Sequence, residues 1–132
     1  MQIEGIHHVS LLVTDLERSR AFYRDIVGLE EIERPPFSFP GAWFRIGEGG
    51  QQLHLIVHHG ETLRSGGIDT RDGHFAIRVK DFDETLARLK QHGVDYVANR
   101  DSVAGFAQIF VLDPDRNIIE FNAPRQVGKK NL

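Results

Sequence analysis

The chain has 132 residues, of which 40% are hydrophobic and 27% charged, values that predict one compact domain with a core of its own. Its net charge of −3 lacks the basic excess of a nucleic-acid-binding protein, and the absence of cysteine excludes disulfides, thiolate zinc sites and cysteine nucleophiles. No apolar run approaches membrane-spanning length and no signal pattern opens the chain, so a cytoplasmic location is the default expectation.

The first half predicts one strand, one helix and three short strands. The segment HVSLLVTD at 8–15, in which a largely apolar stretch runs into Thr14-Asp15, indicates a strand followed by a turn. A helix pattern follows over 16–26, which either Thr14 with Glu17 or Asp15 alone can cap, with Gly28 at the left-handed position past its end. The three short strands are predicted at 29–33, 42–46 and 52–58.

The second half repeats this order after a glycine-containing linker at 59–73. A strand at 74–81 leads into a helix at 82–92, capped by Asp81 and ended by Gly93. Short strands are predicted at 96–98, 107–112 and 118–122, and residues 123–132 form a polar, frayed tail. The sequence therefore predicts one α+β domain over 1–132, made of two β-α-β-β-β modules at about 4–58 and 74–122.

Four possible metal ligands occupy equivalent positions of the repeat. His74 follows His8 by 66 positions on the first strand of each module, and Glu120 follows His54 by the same 66 positions on the last strand. Two modules related by an approximate two-fold axis would bring these four together. Imidazoles and a carboxylate suit one divalent Zn, Ni, Fe, Mn or Co ion.

A plainer interpretation of the same residues is structural. A single histidine on a strand is more often a core residue than a ligand, and Glu120, placed between apolar neighbours, could be compensated by an arginine instead of a metal. A metal-free binding fold that kept its histidines is the alternative. His7, His58, His59 and His92 are weaker ligand candidates.

Several motifs resemble the vicinal oxygen chelate superfamily, which includes glyoxalase I, bleomycin resistance proteins and extradiol dioxygenases. They are IHHVSLLVTDLERSRAFY at 6–23, Gly28-Leu29, GHFAIRV at 73–79, LDPD at 112–115 and IEF at 119–121. The resemblance implies an eight-stranded, open barrel-like sheet around one metal ion. It also implies a homodimer, in some members with a site built from both chains, and a small-molecule substrate with no nucleic-acid or membrane partner.

One ligand position departs from the best-known members. Glyoxalase I usually has a carboxylate where this chain has His54, and methylmalonyl-CoA epimerase has a residue resembling Gln. Only Glu120 is then left as a carboxylate base. His8, His74 and Glu120 could instead supply the two-histidine, one-carboxylate triad of the dioxygenases. The fosfomycin-resistance enzymes are similar in length and at Asn99-Arg100.

The leading hypothesis is a metal-dependent lyase or isomerase similar to lactoylglutathione lyase. The metal would chelate two adjacent substrate oxygens and stabilise an enediolate, with Glu120 or a metal-bound water as the base. The alternatives are a one-domain Fe(II) extradiol-type dioxygenase and a fosfomycin- or bleomycin-resistance-type protein that modifies or sequesters a drug.

The aromatic loop at 34–40 and the strand after it predict the substrate side of the site. An apolar wall above the metal and a nearby arginine for a substrate anion are expected from residues of these types. As plain alternatives, the aromatic residues could be core and the arginines solvated. The candidate substrate-binding residues are Phe39, Trp43, Arg45, Arg100 and Phe106.

Overall fold

The computed structural model describes residues 1–126. Two compact units divide between Ser65 and Gly66, inside the segment predicted as a linker. Each unit has the strand and helix order that the sequence predicts, with one four-stranded open sheet. Across residues 1–126 no helix has the length and apolar character needed to span a membrane.

The first unit is built on a sheet with strand order β1-β4-β3-β2. Its elements are β1 (His8–Val13), α1 (Leu16–Arg20), a π-helix (Ala21–Val27), β2 (Glu30–Ile32), β3 (Gly41–Ile46) and β4 (Gln51–Val57). β1 runs parallel to β4, which is antiparallel to β3. Apolar side chains of these elements form the core; Val13, Tyr23, Phe44, Leu53 and Leu55 are fully buried.

The second unit repeats this arrangement with strand order β5-β8-β7-β6. Its elements are β5 (Phe75–Arg78), α2 (Phe82–Gln91), β6 (Tyr96–Asn99), β7 (Phe106–Leu112) and β8 (Ile118–Pro124). β5 runs parallel to β8, which is antiparallel to β7. The core of this unit includes Ile109, Val111, Ile119 and Phe121.

The pairing register is the same in both units where the predicted ligands lie. Ser10, two residues after His8, pairs with His54. Ala76, two residues after His74, pairs with Glu120. The 66-residue repeat is therefore a structural repeat, because each unit sets its two predicted ligands on neighbouring parallel strands or directly beside them.

The first helix is not the single α-helix that the sequence predicts over 16–26. It changes after Arg20 into a π-helix, and the carbonyl of Tyr23 accepts backbone hydrogen bonds from Gly28 and Leu29 at 3.1 and 2.9 Å. π-helical turns are rare and leave no clear signal in hydrophobic spacing. The helix ends where it is predicted to end, because Gly28 adopts the left-handed conformation with φ of 90°.

Other boundaries differ from prediction by a few residues. β5 begins at Phe75, so His74 lies immediately before the strand and not on it. β8 continues through Ala123 and Pro124, so the prediction of a frayed tail is wrong for these two residues. The part of that tail at 127–132 lies outside the described residues.

The β7–β8 connection is closed by a buried aspartate. Asp113 Oδ1 accepts backbone hydrogen bonds from Asp115 and Asn117 at 2.9 and 2.8 Å. Its Oδ2 accepts from Asn117 Nδ2 at 2.9 Å. The LDPD motif is thus a turn whose side-chain carboxylate replaces backbone partners, as aspartate commonly does in turns. It fixes the start of the strand that carries Glu120.

Candidate metal centre

The first pair of predicted ligands, His8 and His54, is a stack of two imidazoles. Their ring centroids are 4.1 Å apart with 17° between the planes. Trp43, which pairs with His54 across β3 and β4, also stacks on the His54 ring at 3.9 Å and 3°. These contacts fix the orientation of His54, since rotation of its ring would break both stacks.

His54 is held as a neutral imidazole. Only 7% of the residue is exposed, and its Nε2 lies 2.8 Å from Gln52 Oε1. The pKa of His54 is lowered to about 4, mainly by burial and to a smaller extent by the positive charges of His8, His7 and Arg34. A metal-ligating histidine must be neutral, so the environment of His54 suits that role at physiological pH.

His7, a weaker ligand candidate from its sequence position, is a neighbour of this pair. Its Nδ1 lies 2.8 Å from Nδ1 of His8, so one ring donates a proton and the other accepts it. His7 precedes the first residue of β1, and strand alternation therefore does not send its ring to the opposite face. A hydrogen bond of this kind orients a ligating imidazole and fixes its tautomer.

The second pair, His74 and Glu120, is in direct contact. His74 Nε2 lies 3.1 Å from Glu120 Oε1. On the other side of the ring, Nδ1–H donates to the backbone carbonyl of Asp72 at 2.7 Å. The edge of Phe110 packs on His74, with ring centroids 5.3 Å apart. Backbone and aromatic contacts thus hold the imidazole with its Nε2 directed at the carboxylate.

This contact needs a proton or a cation. A carbonyl oxygen can only accept, so the single proton of a neutral His74 sits on Nδ1. Nε2 then presents a lone pair to the Glu120 carboxylate, which is only 4% exposed. Within residues 1–126, no Lys or Arg forms an ion pair with Glu120. Its remaining contacts are amide N–H donors of Gln108 and Asn122, both at 3.4 Å.

The donor set therefore fits a divalent metal. A bound cation would satisfy both the Nε2 lone pair and the buried carboxylate, and three neutral imidazoles with one carboxylate are ligands typical of transition metals. The structure gathers the four residues as two pairs, one in each unit. Within residues 1–126, no group of three or more His, Asp or Glu side chains has the spacing of a metal site.

Two predicted substrate-binding residues lie in an aromatic cluster of the first unit. Phe37 stacks on Phe39 with centroids 5.2 Å apart and lies 6.1 Å from Trp43. Because Trp43 stacks on His54, the cluster adjoins the first pair. Arg45 lies apart from this cluster as an exposed residue 3.9 Å from Glu30.

The remaining two predicted substrate-binding residues, Arg100 and Phe106, lie in the second unit. Arg100 is buried and donates to both carboxylate oxygens of Asp83, at 2.6 and 3.2 Å, with its guanidinium 4.4 Å from the Phe82 ring centroid. Hydrogen bonding to the Asp83 carboxylate raises the pKa of Arg100 above its usual value. Arg100 lines a cavity of about 310 Å³ between α2 and β6. Phe106 is half-buried at the start of β7.

Comparison with known proteins agrees with this fold. The family model described as Glyoxalase/Bleomycin resistance protein/Dioxygenase superfamily matches residues 5–121. The lactoylglutathione lyase of Haemophilus influenzae is 32% identical over 123 residues, which cover 88% of this chain and 90% of that protein.

Solved structures of similar proteins share this fold. A glyoxalase family protein from Bacillus anthracis superposes with a TM-score of 0.76 at 28% identity, over 94% of this chain and 98% of that one. The fosfomycin resistance protein FosX from Listeria monocytogenes, complexed with Mn(II) and a dihydroxypropylphosphonic acid, gives 0.74 at 25% identity, over 93% and 94%. With the family model matching nearly the whole sequence, the chain belongs to the Glyoxalase/Bleomycin resistance protein/Dioxygenase superfamily.

Proposed function

We propose that this protein is a metal-dependent enzyme of the glyoxalase type, a lyase or isomerase acting on a small substrate with two adjacent oxygens. His8, His54, His74 and Glu120 together would hold one divalent metal ion. The observation that carries the proposal is the half-buried contact between His74 Nε2 and Glu120 Oε1, which needs a proton or a cation between the two atoms and which a bound metal would satisfy. Likeness to a lactoylglutathione lyase supports the reaction class.

Each residue has a distinct part in this proposal. When bound, the metal supplies Lewis-acid polarisation of the substrate oxygens. Glu120 takes a proton from the substrate carbon and returns it, and its weak amide contacts at 3.4 Å leave Oε2 able to accept. The Asp72 carbonyl keeps the proton of His74 on Nδ1, so that Nε2 stays free to ligate.

The aromatic cluster supplies the substrate wall. Trp43 and Phe39 present apolar surface beside the first pair, where they would exclude water and pack on the substrate. Arg45, Arg100 and Phe106 stay as predictions from sequence for substrate binding. For Arg100 that role requires release from Asp83.

A second candidate function is modification of a fosfomycin-like drug. It is favoured by the likeness to FosX, whose structure contains Mn(II) and a phosphonic acid. The ligand set proposed here would serve that reaction equally well, since the metal would polarise an oxygen of the drug. The two candidates differ in substrate and not in metal chemistry.

The test is a substrate panel on protein reconstituted separately with Mn, Ni, Zn, Co and Fe(II). We expect turnover of lactoylglutathione or its hemithioacetal precursor, lost on chelation and regained with metal. Consumption of fosfomycin alone would transfer the assignment to the second candidate. Oxygen uptake with catechols by the Fe(II) form alone would transfer it to the dioxygenases. Turnover undiminished after complete chelation would contradict all three.

A further inference from the structure

Arg34 is held between two aromatic rings next to the first pair. Its guanidinium carbon lies 4.9 Å from the Phe37 ring centroid and 5.0 Å from that of Phe39. Nη2 donates to the backbone carbonyl of Phe39 at 2.9 Å. Gly41 makes room, since a Cβ there would lie 3.0 Å from Nη2. The loop thus fixes the plane of the guanidinium.

The charge of this guanidinium is not balanced within the chain as described. Over residues 1–126, Arg34 makes no ion pair, and its buried Nε has no hydrogen-bond partner. Arg20, in the same unit, is paired with Glu31 at 2.9 Å. A half-buried guanidinium without a carboxylate favours an added anion, because the aromatic rings and one carbonyl replace only part of its lost hydration.

The position of Arg34 connects it to the proposed site. Phe37 lies 6.1 Å from Trp43, and Trp43 stacks on His54. The guanidinium, the aromatic wall and the first pair are therefore parts of one cluster within the first unit.

We propose that Arg34 binds an anionic group of the substrate, a carboxylate or phosphonate, and so selects organic anions whose apolar part packs on Phe37, Phe39 and Trp43. The planar guanidinium offers two parallel N–H donors to such a group. This inference rests on the proposed function in taking the ligand to be the substrate. The binding itself uses residues of the first unit alone.

A purely structural role for Arg34 predicts something different. If the arginine only fastens the loop through the Phe39 carbonyl, its loss disturbs the aromatic wall and weakens every ligand alike. If it recognises charge, its loss weakens anions and spares neutral ligands of the same shape. A matched pair of ligands separates these roles.

The experiment is a titration of the full-length protein with phenylacetate and with its neutral isostere phenylacetamide. Binding is followed by the fluorescence of Trp43, the single tryptophan of the chain. Each titration is run on metal-loaded protein and again after chelation, with Arg34→Met, Arg34→Lys and, as control, Arg24→Met. Arg24 is an exposed arginine paired with Asp25.

In the wild type we expect phenylacetate to bind roughly tenfold to a hundredfold more tightly than phenylacetamide, as a charge-assisted hydrogen bond predicts. Arg34→Met removes this preference while leaving phenylacetamide unchanged, Arg34→Lys keeps part of it, and Arg24→Met keeps all of it. Equal wild-type affinities, absence of wild-type phenylacetate binding, or a preference that survives in Arg34→Met overturns the proposal. If Arg34→Met fails to fold, the partial preference of Arg34→Lys beside the full preference of Arg24→Met decides the matter, and full preference in both overturns the proposal.

Failure of this inference is distinguishable from failure of the proposed function. The anion preference is expected in the chelated protein as well as in the metal-loaded protein. The proposed function, in contrast, depends on metal binding and turnover. Preference without metal binding would support Arg34 alone. Metal-dependent turnover without preference would support the proposed function alone.

Discussion

At the scale of single residues, the proposed chemistry depends on where protons sit. The Asp72 carbonyl fixes one proton of His74 and leaves Nε2 facing the Glu120 carboxylate. Burial keeps His54 neutral through a pKa of about 4. The first pair therefore presents the neutral imidazole of His54, and the second pair presents a lone pair beside a buried negative charge.

Glu120→Gln keeps the shape of the side chain and removes its charge. We expect a loss of turnover of about 10²- to 10⁴-fold, the range for removal of a general base, together with weaker metal binding. The control is Glu61→Gln, which removes an exposed carboxylate. Steady-state rates at saturating metal measure the effect, and full turnover in Glu120→Gln would remove Glu120 from proton transfer.

The low pKa of His54 predicts acid sensitivity of the metal-free protein. The unfolded chain binds a proton near pH 6.5, whereas folded His54 does so only near pH 4. The His54 contribution to folding stability is thus complete above pH 6.5 and is lost as pH falls toward 4. At about 1.4 kcal/mol per pH unit, the loss is on the order of 3 kcal/mol.

Urea unfolding between pH 7.5 and 4 measures this loss. His54→Gln should flatten the pH dependence, and His92→Gln, at an exposed histidine, should leave it as in the wild type. An unchanged slope in His54→Gln would show that other groups cause the acid sensitivity.

At the scale of elements, the chemistry of neighbouring residues was sufficient to predict helix caps and turns but not the type of helix. Asp15 and Asp81 cap their helices as predicted, accepting from Arg18 N and Glu84 N at 3.1 and 2.9 Å, because a cap is a property of neighbouring residues. The π-helix at Ala21–Val27 was missed, because its hydrogen bonds depend on how the core is packed.

Substitution of Asp113 in the β7–β8 turn should lower the free energy of unfolding. Asp113→Ala leaves three buried hydrogen-bond donors of Asp115 and Asn117 without their acceptor. We expect a loss of about 2–4 kcal/mol in the free energy of unfolding. Denaturant unfolding measures it, with exposed Asp95→Ala as the control. A loss no larger than that of the control would contradict the role of the carboxylate.

At the scale of the whole molecule, the repeat was the most informative feature of the sequence. It predicted the duplicated β-α-β-β-β order and the equivalence of His8 with His74 and of His54 with Glu120. The contact of His7 with His8 was missed, because β1 begins only at His8 and alternation does not apply before it. Arg34 was missed as well, because its aromatic neighbours, and the lack of an acidic partner among residues 1–126, are properties of the folded loop.

A homodimer with shared sites is testable by mixing variants. One variant carries His8→Ala with His54→Ala, and the other carries His74→Ala with Glu120→Ala. The resemblance implies dimers with sites built from both chains in some members, so we expect metal binding to return after the two are unfolded together and refolded. Recovery would place the site across two chains. Lack of recovery in a correctly refolded mixture would place it within one.

The central claim is that two pairs in separate units bind one metal ion per chain. The most direct measurement is metal stoichiometry by elemental analysis of purified protein, for the wild type, for a variant with both His8→Ala and His54→Ala, and for a variant with both His74→Ala and Glu120→Ala. We expect one ion per chain in the wild type and loss of that same ion in each variant. A wild type that takes up no metal, or metal that stays when one whole pair is removed, would contradict it.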